Sequence, residues 1–247
     1  MREMLMKYIL IFGGLLSLTS MYRPPLSLAS IEYLKFLNGL YRGLEDLILE
    51  EYLEYRNFFT LHRNDIAGYV TATQKFQMNE VLAAHPNIKT IGEIGLNAGH
   101  SADNFFGHCN QLERFVSFDI KCYPEVLDYF AEKYKDRFHF VVGDSLETVP
   151  EFAERFPDVK FDLIFIDGAH SFDNCYHDIL NMKQLAHSNT CLWIDDYKCP
   201  EVFEAVEVCK NMHGILEVIK VHSSDLRTAA ERCWVEARYL FPEAVEK

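Results

Sequence analysis

The stretch that decides the fold is residues 91–101, which read IGEIGLNAGHS. The apolar residues at its start predict a short buried strand, and Gly95 and Gly99 follow directly after it. Glycine permits tight turns and a close approach of the backbone to a ligand. The spacing G-x-x-x-G matches neither the G-x-G-x-x-G of dinucleotide binders nor a phosphate-binding loop ending in Gly-Lys-Ser/Thr. The stretch therefore predicts a strand, a turn that can border a ligand, and a helix.

Glu93 places a carboxylate near the end of this predicted strand, directly before the turn. A phosphate-binding turn would exclude it, because two negative charges repel each other. A carboxylate favours a ligand with a positive charge, such as an α-amino group. We therefore expect a cationic ligand at this turn, and the simpler alternative is a structural junction that holds no ligand.

Short apolar runs alternate with helical patterns over the rest of the chain. The predicted strands are 89–94, 114–118, 138–142, 161–166, 190–194, 217–221 and 233–240. The predicted helices begin at about residue 100 and then cover 124–134, 146–155, 175–185 and 200–212. This alternation predicts an α/β fold with a doubly wound, Rossmann-like and mostly parallel seven-stranded sheet, covered by helices on both faces. The last two strands have no helix signal between them and are expected to pair as an antiparallel edge.

Polar side chains follow the second and third predicted strands. Ligands of open α/β sheets bind beyond the carboxyl ends of the strands, so these positions are candidates for a site. Asp119 ends the second strand, where an acid can accept both hydroxyls of a ribose. Asp144 and Ser145 follow the third strand, where they can accept a hydrogen bond from the amino group of a base. Their alternative role is to cap the helix that follows.

Three aspartates end the fourth and fifth predicted strands, namely Asp167, Asp195 and Asp196. Because parallel strands end at the same edge of a sheet, these carboxylates are expected to be neighbours. Converging carboxylates repel one another unless a cation or a proton lies between them. Oxygen ligands of this kind suit Mg²⁺, and also Ca²⁺ or Mn²⁺. The sequence therefore predicts a metal site, with helix capping by Asp195 or Asp196 as the balanced alternative.

His170 follows the fourth strand at a distance of three residues from Asp167. Its imidazole titrates near neutral pH, so His170 is a candidate general base, with a polar loop residue as the alternative. Asp178 falls at the start of the predicted helix 175–185. An acid there can simply favour the helix dipole, so chemistry is only one of two interpretations.

At this point the residues resemble a known family. Residues 93–102 look like the cofactor loop of class I S-adenosylmethionine-dependent methyltransferases. Segments 167–170 and 195–197 are similar to the small-molecule O-methyltransferase branch, which includes cation-dependent sugar and catechol enzymes. The resemblance covers roughly residues 66–241. Three positions depart from it, because Asn97 replaces a common glycine, and His170 and Phe172 stand where catechol enzymes often have a Lys and a Tyr.

The resemblance implies S-adenosylmethionine as cofactor and a role for each strand end. The loop after the first strand would hold the methionine part, and Asp119 would bind the ribose. Asp144 and Ser145 would hold the adenine, and Asp167 would border the cofactor as a catalytic residue. The three aspartates of the fourth and fifth strands fall where cation-dependent members bind metal, here Mg²⁺. The loop residues assigned to the cofactor are Glu93, Gly95, Asn97, Gly99 and Ser101.

The expected reaction is direct displacement, in which the protein holds an oxygen nucleophile of a small-molecule acceptor in line with the activated methyl group. An NAD-dependent oxidoreductase is an alternative on the same architecture, although the missing G-x-G-x-x-G counts against it. A second alternative is a degenerate methyltransferase fold that acts as a binding module. The acidic strand ends argue against degeneration.

Composition limits the partners of the chain. It has 247 residues, of which 49 % are hydrophobic and 25 % charged, so it can bury a sizeable core. The net charge is −13, and no basic patch stands out in the sequence. Such a protein would be repelled by phosphate backbones, so nucleic acid is not expected as a substrate.

The N-terminal part has features of its own. Residues 1–29 carry Arg2 and Lys7 ahead of an apolar run at 8–18, which is typical of a signal peptide or an anchor but too short for a stable membrane span. Residues 30–86 are expected to be helical, to cover the cofactor and to offer a homodimer contact. The methyltransferase domain is expected at 87–247. Seven cysteines without a CxxC pair favour a reducing compartment, whereas the signal-like segment favours export.

Overall fold

The computed structural model describes residues 70, 72–121, 123–223 and 233–242. The strands in this part of the chain are β1 (Thr90–Ile94), β2 (Arg114–Asp119), β3 (Phe138–Val142), β4 (Phe161–Ile166), β5 (Ala186–Ile194), β6 (Leu216–Ser223) and β7 (Cys233–Tyr239). The helices there are α1 (Ala72–Ala84), α2 (His100–His108), α3 (Pro124–Tyr134), α4 (Ser145–Arg155), α5 (Phe172–Lys183) and α6 (Pro200–Glu207). The segment 1–29, the greater part of 30–86 and any dimer contact formed there lie outside the described residues.

The seven strands form one sheet in the order β3-β2-β1-β4-β5-β7-β6. Strands β1 to β5 run parallel to one another, and β7 runs antiparallel to both β5 and β6. The predicted Rossmann-like sheet with an antiparallel edge pair is therefore confirmed, and within that pair β6 is the outermost strand. The chain reverses its direction across the sheet between β1 and β4, and such a switch point is where open α/β sheets form a ligand crevice.

The register of the central strands brings their carboxyl ends to one level. Ile94 at the end of β1 lies opposite Phe118 in β2 and Ile166 in β4. The next residue along each chain segment therefore enters the same crevice. The residues that follow are Gly95 after β1 and Asp167 after β4, with Asp119 ending β2.

The sheet is buried on both faces, which explains the continuous apolar runs of its central strands. One face packs against α4, α5 and α6, with Ile164, Ile179 and Val206 among its buried residues. The other face packs against α1, α2 and α3, and is rich in aromatic side chains. Phe105 of α2 lies 5.8 Å from Trp193 of β5, between ring centroids. Because this second face also packs against α1, that helix belongs to the core of the domain.

Three predicted boundaries need correction. Helix α5 begins at Phe172 rather than at residue 175, because the Ser171 side chain caps it by accepting a hydrogen bond from the Asn174 N–H. Asp178 therefore lies in the second turn of this helix and not at its start. The helix predicted over 200–212 ends at Glu207 and continues as a π-helical turn, Val208–Met212. Strand β5 begins at Ala186, four residues before its predicted start.

Among the described residues, no helix combines the length and the apolar character that crossing a membrane requires.

Candidate functional site

The loop after β1 turns at two glycines that no other residue could replace without a clash. Gly95 has φ 97°, and a Cβ added there would lie 2.0 Å from the backbone oxygen of Asp167. Gly99 has φ 81°, and its added Cβ would lie 2.3 Å from the ring of Phe130. Real Cβ atoms do not approach that closely, so the loop packs tightly on β4 and on α3. The result is a backbone cradle at the N-terminus of α2.

Asp119 joins this loop to the end of β2. Its Oδ2 accepts a hydrogen bond of 2.8 Å from the backbone N–H of Asn97, which has the left-handed φ of 45°. Its Oδ1 accepts a hydrogen bond of 2.9 Å from the N–H of Lys121. The carboxylate therefore holds the backbone of the loop in place at the edge of the crevice, where the sequence placed a ribose-binding acid.

Glu93 lies beneath the loop and is fully buried. Its Oε1 accepts a hydrogen bond of 2.5 Å from Ser101, and its Oε2 accepts one of 2.7 Å from Ser117. Burial raises the pKa of this carboxyl to about 7, against the lowering effect of the two hydroxyls. Glu93 thus connects the first turn of α2 to β2, and the serine of β2 is a partner that the sequence pattern did not indicate.

Asp144 and Ser145 begin α4 at the end of β3. Asp144 is the N-cap and accepts a hydrogen bond of 3.0 Å from the Leu146 N–H, so the capping role considered for it is present. The Ser145 hydroxyl donates to Oδ1 of Asp178 at 2.7 Å. Asp178 is 1 % exposed, and burial raises its pKa to about 6. The sequence alone gave no sign of this pairing, because the two residues are 33 positions apart.

A second group of side chains meets beyond β4 and β5. Nε2 of His170 lies 2.9 Å from Oδ2 of Asp196 and 4.0 Å from Oδ1 of Asp167. One ligand atom from each of the three residues lies within 4.8 Å of the other two. Two carboxylate oxygens suit Mg²⁺ or Mn²⁺, and an imidazole nitrogen extends the set toward transition metals. In the described part of the chain, this is the one such group of three metal-binding side chains.

Asp195 lies outside that group although it is adjacent to Asp196. It is 5 % exposed, and its Oδ2 accepts a hydrogen bond of 2.8 Å from Nε2 of Gln74 in α1. Its Oδ1 accepts a hydrogen bond of 2.8 Å from the N–H of Asp196. Asp196 itself has φ 50°, a left-handed conformation that aspartate tolerates better than most residues. The structure therefore brings together Asp167, His170 and Asp196, and it places Asp195 in a buried contact with α1.

Comparison with known proteins agrees with this geometry. Residues 93–197 match the family described as a methyltransferase domain. No curated protein matches the sequence significantly.

Three solved structures share the fold. A putative O-methyltransferase from Klebsiella pneumoniae has a TM-score of 0.57 at 18 % identity, over 92 % of this chain and 94 % of that one. The Streptomyces achromogenes O-methyltransferase TomG, bound to SAM, has a TM-score of 0.58 at 18 % identity, over 84 % and 96 %. A Bacillus cereus O-methyltransferase in complex with SAH has a TM-score of 0.56 at 15 % identity, over 83 % and 96 %. Residues 93–197 of this chain therefore match a methyltransferase domain, and the chain shares the fold of these O-methyltransferase structures.

Proposed function

We propose that this protein transfers the methyl group of S-adenosylmethionine to an oxygen of a small-molecule acceptor, with a divalent cation beside the reacting atoms. The observation that carries the proposal is the group of Asp167, His170 and Asp196 at the carboxyl ends of β4 and β5. Gly95 of the loop after β1 packs directly on the backbone of Asp167. A cofactor in the loop and an acceptor at the three side chains would therefore be neighbours.

The loop fits the methionine part of the cofactor. The two glycines let the backbone turn at left-handed φ while it packs on Asp167 and Phe130, and Asn97 donates its backbone N–H to Asp119 at the edge of the crevice. We assign Ser101 and Glu93 to the support of this loop, since they bond to each other beneath it. When bound, S-adenosylmethionine supplies an activated methyl group on a positive sulfur, which an acidic crevice favours.

We assign the ribose and the adenine of the cofactor to the ends of the next two strands. We assign the ribose hydroxyls to Asp119, which lies at the edge of the crevice and already orders the loop. The adenine falls to Asp144 and Ser145 at the N-terminus of α4. Asp167 lies between this region and the acceptor, in contact with the loop after β1 through its backbone.

We propose that Asp167, His170 and Asp196 hold the cation, so that His170 takes the place first expected for Asp195. A divalent cation here would lower the pKa of an acceptor hydroxyl and fix its direction. Asp195 contributes indirectly, because it accepts from the N–H of Asp196 and so orients that residue. Mg²⁺ suits the two carboxylates, and Mn²⁺ accepts the imidazole as well.

His170 has a second candidate role that the same contacts favour. Its ring is half exposed and lies 2.9 Å from Asp196, an arrangement that orients an imidazole. In a reaction without metal, His170 would take the proton of the acceptor hydroxyl as the methyl group is transferred. The metal-dependent reaction and the metal-free reaction differ in whether a chelator stops turnover.

The test begins with binding and continues with transfer. Calorimetry should show S-adenosylmethionine binding and no NAD binding, and electron paramagnetic resonance should show one Mn²⁺ site. Asp167→Ala should keep the circular dichroism spectrum, lose Mn²⁺ binding and lower transfer of labelled methyl to catechol and sugar hydroxyls by about 10³-fold. Asp128→Ala, an exposed change on α3, is the matched control and should have no effect.

The outcomes separate the alternatives. Unchanged turnover in Asp167→Ala refutes the assignment of this residue. Transfer that survives a chelator but not His170→Ala favours the metal-free version. Binding of S-adenosylmethionine without transfer to any acceptor favours a binding module, and binding of NAD instead favours an oxidoreductase.

A further inference from the structure

We propose that Asp178 is a positioning residue that makes the base-binding end of the cofactor site selective for a 6-amino purine over a 6-oxo purine. It does so by holding the hydroxyl proton of Ser145, which leaves that hydroxyl able only to accept a hydrogen bond from the base. The inference rests on the proposed function, because it requires the adenine of the cofactor to lie at the start of α4.

The position of Asp178 links two loops of the crevice. Its Oδ1 accepts the Ser145 hydroxyl at 2.7 Å, at the first residue of α4. Its Oδ2 lies 3.3 Å from the point where a Cβ on Gly168 would stand, directly after Asp167. The residue is 1 % exposed, and no other hydrogen bond to its carboxylate occurs among the described residues. The carboxylate thus lies between Ser145, which follows β3, and Gly168, which follows β4.

A serine hydroxyl has a single proton and two lone pairs. In this structure the proton points to Asp178, so only lone pairs remain for a ligand. The Asp144 side chain is also an acceptor when ionised. The base-binding end therefore offers acceptors, and these match the two N–H donors of a 6-amino group. A 6-oxo group would place another acceptor against them, which costs a hydrogen bond and adds repulsion.

The charge state of Asp178 is compatible with this role. Burial raises its pKa to about 6, against the lowering effect of the Ser145 hydrogen bond, with smaller raising and lowering effects from Asp144 and His177. At pH 8 the carboxyl is therefore ionised and cannot donate. It can then only accept from Ser145, and the direction of that hydrogen bond is fixed.

The experiment compares two ligands by calorimetry at pH 8, S-adenosylhomocysteine and S-inosylhomocysteine. The wild-type protein should bind the adenosine compound about 100-fold more tightly, since a site built for a donor rejects an analogue that lacks it. In Asp178→Asn the side-chain amide can donate to Ser145, and the hydroxyl becomes free to donate to the base. The ratio of the two affinities should then fall about tenfold or more, equivalent to one hydrogen bond.

Two further variants complete the design. Ser145→Ala removes the hydroxyl and should lower the same ratio, so it serves if Asp178→Asn does not fold. Asp173→Asn is an exposed change on the same helix and should leave the ratio unchanged. Thermal melting of each variant shows that it is folded under the conditions of the titration.

The ratio distinguishes selectivity from general support. If Asp178 only stabilises the fold, both ligands weaken together and the ratio stays constant, which overturns the inference. A constant ratio in Ser145→Ala overturns it as well. A wild-type protein that binds neither ligand would instead overturn the proposed function, and so the two failures are separate.

Discussion

Two regions of the crevice use the same residue type in opposite ways. At the ends of β1, β2 and β3 the carboxylates of Glu93, Asp119 and Asp144 accept hydrogen bonds from hydroxyls or backbone N–H groups of neighbouring segments. At the ends of β4 and β5, Asp167 and Asp196 instead converge on a single imidazole. The first region is internally satisfied, whereas the second brings two negative charges together beside one titratable ring. This difference is the basis of our proposal that the first region shapes the cofactor site and the second region performs the chemistry.

The two consecutive aspartates after β5 show this difference within one turn. Asp195 belongs with the first kind, because both of its oxygens accept hydrogen bonds and its side chain is buried. Asp196 belongs with the second kind and contacts His170. A buried acid with matched donors contributes to stability, and carboxylates that converge repel one another unless a cation or a proton lies between them.

The largest expected effect follows from removing Asp196, one of the two acids that converge on His170. Asp196→Ala should weaken Mn²⁺ binding by about 100-fold and lower methyl transfer by about 10²–10⁴-fold, because the cation site and the partner of His170 are lost together. Affinity for S-adenosylhomocysteine should stay within about threefold, since Asp196 is not among the residues that we assign to the cofactor. Paramagnetic resonance and calorimetry measure the two quantities.

Asp195→Asn is the matched control for that variant. It should change Mn²⁺ affinity by less than about threefold and cost about 1 kcal/mol of stability, through the weakened bond to Gln74. Equal losses of Mn²⁺ binding in the two variants would show that Asp195 is a ligand after all, as first expected.

The next effect concerns the cradle of the cofactor site. Gly95→Ala should lower the free energy of unfolding by about 2–4 kcal/mol, because its Cβ would lie against the Asp167 carbonyl at a left-handed φ. S-adenosylhomocysteine binding should be lost with it. Urea denaturation and calorimetry are the measurements.

Gly107→Ala provides the control within α2. No atom lies within 4 Å of its added Cβ, so this change should stabilise the protein by about 0.5–1 kcal/mol. A stable, ligand-binding Gly95→Ala protein would contradict the packing of the loop on β4.

The smallest effect is a pH dependence that arises from Glu93. Its pKa is about 7 in the folded protein and near 4.5 when exposed, so the folded state binds the extra proton between these values. Stability from this group is therefore greatest at low pH and is lost as the pH rises, by about 2 kcal/mol between pH 5 and pH 8. Glu93→Gln should flatten this slope in thermal melts, leaving the smaller contribution of Asp178 in the same direction.

A variant that keeps the full slope would show that Glu93 is not the group that titrates. Asp128→Asn, an exposed carboxyl on α3, is expected to leave the slope as it is in the wild type. The comparison requires that each variant unfolds in a single transition.

Several parts of the site could be predicted from local sequence. The apolar content of run 161–166 and of the other predicted runs specified strands. Asp119 and Asp167 could then be located at the ends of two of these strands. Gly95 and Gly99 were predicted to form a turn, and both have the left-handed φ that glycine adopts most easily. These features depend on a few adjacent residues, so a pattern of single residues was sufficient to predict them.

The sequence by itself determined the sheet, the loop after β1 and the acids at the strand ends, because periodicity and glycine spacing are properties of neighbouring residues. Only the tertiary structure decided which partner each acidic side chain contacts. Asp195 is held by Gln74 from 121 positions away, and Asp178 is buried against Ser145 from another helix. The direction of a side chain depends on its backbone dihedrals and on such distant partners, and neither is present in a local pattern.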